Sequence, residues 1–207
     1  MKHSKLLLIN ALLIFSFSMI AQEKTEEEAD VVFNSFSIAV KGGFNFATAT
    51  KGMGSSPPDA RASIYVGGVV EVPIVENIFS LQGEAIYSGQ GFERNYSYLG
   101  EKHQTLYKLD YINVPIFGKY YLLKGFSLEA GPQFSFLVNH KIQNSLDQLE
   151  REKEEINDFE IGIAAGITFQ FDSGLFINGR YNHGFQDIFD NYNGKNTVIQ
   201  FGVGYKF

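Results

Sequence analysis

From Ser35 onward, apolar and polar residues alternate with a period of two. Phe36, Ile38, Val40, Phe44 and Phe46 fall on one face, and Ser35, Ser37, Lys41 and Asn45 fall on the other. Successive side chains of a strand point to opposite faces, so this pattern predicts a strand of about 13 residues with one greasy and one polar side. The same alternation recurs seven more times, over residues 61–73, 78–90, 107–120, 125–138, 157–171, 175–186 and 196–207. Strands of globular proteins usually run roughly 5–6 residues. A tilted membrane strand needs roughly 9–11 in the hydrocarbon, plus ends in the headgroups, which fits these segments better.

The connections support the same reading. Residues 48–60, 91–106, 139–156 and 187–195 are long and polar, whereas 74–77, 121–124 and 172–174 are short. Outer-membrane barrels carry long extracellular loops and short periplasmic turns. Aromatic residues gather near both ends of the strands, where two girdles would meet the bilayer interfaces. The expected fold is therefore all-β: an eight-stranded antiparallel up-and-down transmembrane β-barrel of the outer-membrane type, with both termini in the periplasm. Pro115 and Pro132 fall inside the fourth and fifth strands, where each removes a ladder donor, so bulges are expected there.

Composition narrows the choice. The chain has 20 Phe, 11 Tyr and 21 Gly, and only 19 % charged residues, below the roughly 25 % of a soluble domain. It has no cysteine, which excludes disulfides, thiol catalysis, Cys-based zinc sites and lipid attachment at an N-terminal Cys. A formal charge of −6 argues against a nucleic-acid partner.

The N-terminus reads as a targeting segment. Lys2 and Lys5 precede an apolar run, Leu6 to Ile20, broken only by Asn10, Ser16 and Ser18. Cleavage at Ala21-Gln22 would make residues 1–21 a signal peptide, although Met19 is larger than the −3 position prefers. Its removal takes two lysines and no acids, which shifts the formal charge from −6 to −8. Residues 22–34 then form an acidic, flexible periplasmic leader, and 35–207 the barrel domain. No later apolar stretch reaches the ~18 residues a spanning helix needs.

Four segments carry a family resemblance: KGGFNFA (41–47), DYINVPIFGKYYLLKGFSLEAGPQFSFLVNHK (110–141), GRYNHGFQDI (179–188) and VIQFGVGYKF (198–207). Together they resemble the PorT-like, porin-family outer-membrane β-barrels of Bacteroidetes, over about residues 35–207. The resemblance implies an integral protein of the outer membrane of a Gram-negative bacterium, in contact with outer-membrane lipids. It implies no single activity. The terminal Phe207 resembles the signal read by the barrel-insertion machinery, which would then be a partner during biogenesis.

The polar face holds the candidate chemistry. Lys41, Glu71, Glu84, Lys119, Glu129, Glu160 and Arg180 all fall on the side away from lipid. An eight-stranded barrel is too narrow for an aqueous channel, because side chains fill it. These charges are expected to pair in an interior network, with Lys41, Lys119 and Arg180 as cations and Glu84 and Glu129 as the central anions. A proton or ion path is the functional alternative.

Catalytic and metal sites are weakly marked. Asp158 and Glu160 share a strand face without a further partner in sequence. Ser88 and His183 are a formal nucleophile and base at one depth. His103, His140 and His183 fall near one rim, without metal-ligand spacing. GMGSSPPDA (52–60) lacks the lysine and helix of a phosphate loop. No motif calls for a cofactor. In loop 139–156, SLDQLEREKEEIND allows i,i+4 charge pairs and a short helix over the barrel mouth. Tyr96, Tyr98 and Tyr107 could present aromatic contact surface beside the second long loop.

The expected role is non-enzymatic: a structural or interaction barrel that displays four outer loops, with a possible protein partner there. The alternatives are a narrow pore for small solutes or ions, a membrane-embedded lipid-modifying enzyme, and a soluble lipocalin-like barrel with inverted faces.

Overall fold

The computed structural model describes residues 36–50, 58–98, 101–144, 156–189 and 192–207. The expected signal peptide and the whole of the leader lie outside the described residues. Eight strands occupy the described part: β1 (Ser37–Ala49), β2 (Asp59–Val75), β3 (Phe79–Tyr98), β4 (Glu101–Leu123), β5 (Phe126–Asn144), β6 (Phe159–Gln170), β7 (Leu175–Phe189) and β8 (Tyr192–Lys206). They pair antiparallel in chain order, and β1 pairs with β8 from Ala39↔Lys206 to Ala49↔Asn196, which closes the barrel.

The alternation sorts side chains across the wall. Val40, Phe44, Ile64, Val66, Ile163 and Val203 are exposed on the outside. Lys41, Asn45, Glu84, Glu129 and Arg180 are buried inside. This inverts a water-soluble protein, where a continuous apolar exterior would be a liability. Aromatic pairs cap the apolar belt: Phe169–Phe171 and Tyr205–Phe207 at the end with the short turns, and Phe136–Phe159 toward the other end. The short turns use residues that tolerate left-handed backbone, with φ of 58° at Asn77, 79° at Gly125 and 88° at Gly174.

Three sequence expectations change. Residues 91–106 are mostly not a loop, because β3 and β4 stay paired from Gly91↔Lys108 to Tyr98↔Glu101. β5 likewise runs to Asn144, and β7 and β8 stay paired up to Phe189↔Tyr192. Above the belt the outer face meets water, so outward residues need not be apolar. The period-two contrast fades there while the hydrogen-bond ladder continues. The long loop read over 139–156, which allowed a short helix, is strand at residues 139–144, and 145–155 lie outside the described residues.

The prolines form the third difference, since neither carries a bulge. The β4–β5 register runs unbroken from Tyr111↔Leu137 through Pro115↔Gln133 to Gly118↔Ala130. Pro132 stands opposite Ile163 in a continuous β5–β6 register. Pairing lapses at Val114 and Pro115 on the β3 side and at Ile116 and Phe117, opposite Pro132, on the β5 side, so the lost donors leave gaps in the ladder with no extra residue. The register shifts of this pair fall elsewhere, at Asp110/Tyr111 and Tyr121/Leu123.

An outward position near the middle of the belt tests the face assignment. Val66, 58 % exposed, lies between Gly42 and Tyr87. Val66→Arg is expected to lower unfolding stability in lipid vesicles by ~2–4 kcal/mol, the cost of a cation at the midplane. Urea titration of the vesicle-inserted protein measures it.

Candidate functional site

The interior is built in layers from the turn end upward. The lowest layer centres on Glu71 of β2. Its carboxylate accepts from Lys119 Nζ at 3.0 Å and Lys206 Nζ at 3.1 Å, and from the Tyr121 hydroxyl. A vestibule of about 880 Å³ opens below it, lined by Glu71, Tyr121, Lys206 and Phe207 among others.

The next layer is the ionic centre. Arg180 of β7 donates Nη1 to Glu84 Oε2 at 2.7 Å and Nη2 to Glu84 Oε1 at 2.9 Å. It also donates Nη2 and Nε to Glu129 Oε1, at 2.6 and 3.0 Å. Lys41 Nζ donates to Glu84 Oε1 at 2.8 Å. Two cations thus meet two anions, and the group is neutral. The guanidinium also stacks on Phe117, with Cζ 4.2 Å from the ring centre. Gln82 joins the two layers: it donates to Glu84 at 2.7 Å and accepts from Lys119 at 3.3 Å. The remaining cavity at this level is only about 20 Å³, room for about one water.

Above the charges lies an amide layer. Asn45 Nδ2 donates to Ser88 Oγ at 2.9 Å, and Gln200 donates to Asn45 Oδ1 at 2.8 Å. Gln90 accepts from Asn196 and donates to Ser88 at 3.0 Å. At the far end the interior turns apolar. Phe92, Tyr107, Leu109, Tyr111, Ile188 and Phe189 form a buried cluster, with Phe92 and Tyr107 stacked at 4.6 Å.

Of the seven charged residues singled out from sequence, six meet in this network. Glu160 stands apart: it is buried near the hairpin end of β6, and no ion pair among the described residues includes it. Lys206, Gln82 and Tyr121 join the network without having been singled out. Lys206 and Gln82 lie on the polar parity of their strands, and Tyr121 shares parity with Lys119, so spacing could have found all three. A separate exposed pair, Lys124 Nζ–Asp172 Oδ1 at 2.8 Å, bridges two turns, and this hydrogen bond raises the lysine pKa. Full solvation makes such a pair weak.

The other candidates do not assemble. Ser88 is inside and bonded to amides, whereas His183 is on the outer face, between the rings of Tyr181 and Phe185. The wall separates them. Asp158 is exposed at the rim while Glu160 is buried. His103 is buried and His140 exposed, so the histidines do not converge. Tyr107 packs inside the barrel and offers no outer contact surface.

The chain has recognisable relatives. It matches the family described as outer membrane protein beta-barrel domain over residues 20–190, and it belongs to that family. Among solved structures it is similar to Neisserial surface protein A, at 11 % identity over 84 % of this chain and 100 % of that one, with a TM-score of 0.51. It is also similar to Ail, the attachment invasion locus protein of Yersinia pestis, at 12 % identity over 83 % and 98 % of the chains, with a TM-score of 0.49. The N-terminal β-barrel domain of Pseudomonas aeruginosa OprF is a further match, at 12 % identity over 83 % and 97 %, with a TM-score of 0.38. No curated protein matches. The chain is an eight-stranded outer-membrane β-barrel protein.

The ionic centre makes a definite stability prediction. Arg180→Met leaves Glu84 and Glu129 facing each other with only Lys41 between them. Breaking a buried pair in this way is expected to cost ~3–5 kcal/mol. The double change Arg180→Met, Glu129→Gln leaves the neutral Lys41–Glu84 pair and is expected to recover most of that loss. Unfolding titrations of the three proteins in one detergent provide the comparison.

Proposed function

We propose that this barrel is a closed, non-enzymatic scaffold of the outer membrane whose work is done by what it displays at its hairpin end. The observation that carries this reading is the filled interior. Paired charges leave a cavity of about 20 Å³ at mid-depth, and an aromatic cluster closes the path above them. A solute path would need a continuous lumen, and an eight-stranded wall has room for little beyond its own side chains. The upper parts of β2, β3, β4 and β5 carry exposed polar groups that bond to each other. Asn95 donates to Asp59 at 2.7 Å, Gln104 to Glu93 at 2.7 Å and Asn139 to Asp110 at 3.0 Å. A hydrated, hydrogen-bonded rim of this kind suits contact with a protein partner.

In this reading the turn end faces the periplasm. Residues 1–21 direct export, and 22–34 are a leader. Phe207, just after β8, is the element met by the insertion machinery, and the residue pattern resembles that of PorT-like barrels of Bacteroidetes. Phe207 is 75 % exposed, and its backbone N–H donates to Ile38 O at 2.9 Å, so the last residue is both presented and tied to the closing seam.

Two measurements test the proposal. Purified protein in a planar bilayer is expected to show no discrete conductance steps above the bare membrane; regular openings in wild type would favour a pore. Replacing residues 94–104 at the β3–β4 tip with a two-residue turn is expected to leave folding in detergent intact while removing partner contact in intact cells, read by crosslinking.

A further inference from the structure

Glu160 is 7 % exposed and points into the barrel from β6. Its carboxylate lies flat over Gly184 of β7, where any Cβ would collide with it. Asn196 of β8 lies beside it. No lysine, arginine or histidine among the described residues pairs with it. The carboxylates of the ionic centre, by contrast, each have a cation.

The amides around Glu160 share this deficit. Asn182 is the next inward residue below Gly184, is 3 % exposed, and has neither Oδ1 nor Nδ2 bonded. Asn196 Oδ1 has no partner, although its nitrogen does. Asn113 Oδ1, on the register row that reaches Glu160 through Ser135, is also without one. Buried polar atoms are almost always satisfied, so several unsatisfied oxygens around one unpaired carboxylate form a pattern. Three of these four unpaired amide atoms are oxygens, the fourth being Asn182 Nδ2, and hard cations take oxygen ligands from carboxylates and amide carbonyls. Protonating Glu160 would supply one donor and leave the other oxygens bare.

We propose that Glu160, Asn182 and Asn196 bind a monovalent cation, Na⁺ or K⁺, inside the barrel between the charged layer and the aromatic cluster. Side-chain carbonyls would replace part of the ion's hydration shell, as carbonyl dipoles do in ion filters. One carboxylate charge matches a monovalent ion; a divalent ion would leave a buried net charge uncompensated. The ion would be enclosed as the barrel closes, because layers above and below block its escape.

The test uses the full chain refolded separately in NaCl, KCl or choline chloride at equal ionic strength. Choline, whose charge is shielded by methyl groups from oxygen ligands, is the control cation. An ion that binds only the folded barrel stabilises it by mass action, so above saturation each tenfold rise in cation is expected to raise the folding constant about tenfold. The unfolding midpoint is expected to rise with Na⁺ or K⁺ and stay flat with choline. Glu160→Gln is expected to abolish the difference between salts, and Asn182→Ala to reduce it. Equal stability of the wild type in all three salts would overturn the site, and this comparison needs no variant. A salt difference that survives in Glu160→Gln would place any cation elsewhere and overturn it equally.

Discussion

Closure of the wall between β1 and β8 is the constraint on which the rest depends. Hydrocarbon offers no partner to a backbone N–H or C=O, so an open edge within the belt would cost several kcal/mol for each orphaned group. The seam from Ala39↔Lys206 to Ala49↔Asn196 pairs the first strand with the last, and Phe207 extends it by one more bond to Ile38. Once the wall is closed, alternation has a fixed meaning: every second residue faces acyl chains and its neighbours face a narrow tube. Those enclosed side chains must either pack or pair, and the layers show both solutions.

The charged layers follow from that enclosure. Desolvating Arg180, Glu84, Glu129 and Lys41 is expensive, and their mutual attraction offsets the cost only with good geometry and further hydrogen bonds. Those conditions are met by the two-pronged contact of Arg180 with Glu84, by Gln82 and by the ring of Phe117. The same charges oppose misregistration. A slip of one residue would turn Arg180, Glu84 and Glu129 into lipid and bring Val40, Val66 and Ile163 inside. A purely apolar filling would carry no such penalty. Gly202 shows how closely the packing is specified, because a Cβ there would strike the Tyr65 hydroxyl, which reaches Asn178 at 3.3 Å.

How much of this was legible in the sequence varies by strand. β1, β6 and β8 have apolar outer faces and polar or small inner ones, so period two located both strand and face. β4 is different. Its inward residues Tyr107, Leu109, Tyr111 and Phe117 are as apolar as its outward ones, and the contrast that marks an interior is lost. The residue types could not announce an aromatic cluster at the hairpin end. The parity of Lys119 could, since counting back by twos from it passes through every one of those rings. The upper hairpins were hidden for the opposite reason. Outside the bilayer neither face must be greasy, so Glu93, Arg94 and Asn95 read as loop while their backbones remain in the ladder.

The network itself was legible only as a set of charges on one parity, because sequence gives parity and not depth. Glu71 and Lys119 lie near the turn end, Glu84, Glu129 and Arg180 at mid-depth, and Glu160 near the opposite end. Strand tilt and stagger decide which of them meet. Arg180 reaches Glu84 across 96 residues of chain, whereas Glu160, on the same parity as Glu129's partners in β6, has no ion-pair partner among the described residues. Parity brings a charge inside, and depth decides whether the barrel neutralises it with its own residues. At Glu160 the protein's residues do not complete the balance, and that is why this position, among all the interior carboxylates described, points beyond the chain itself.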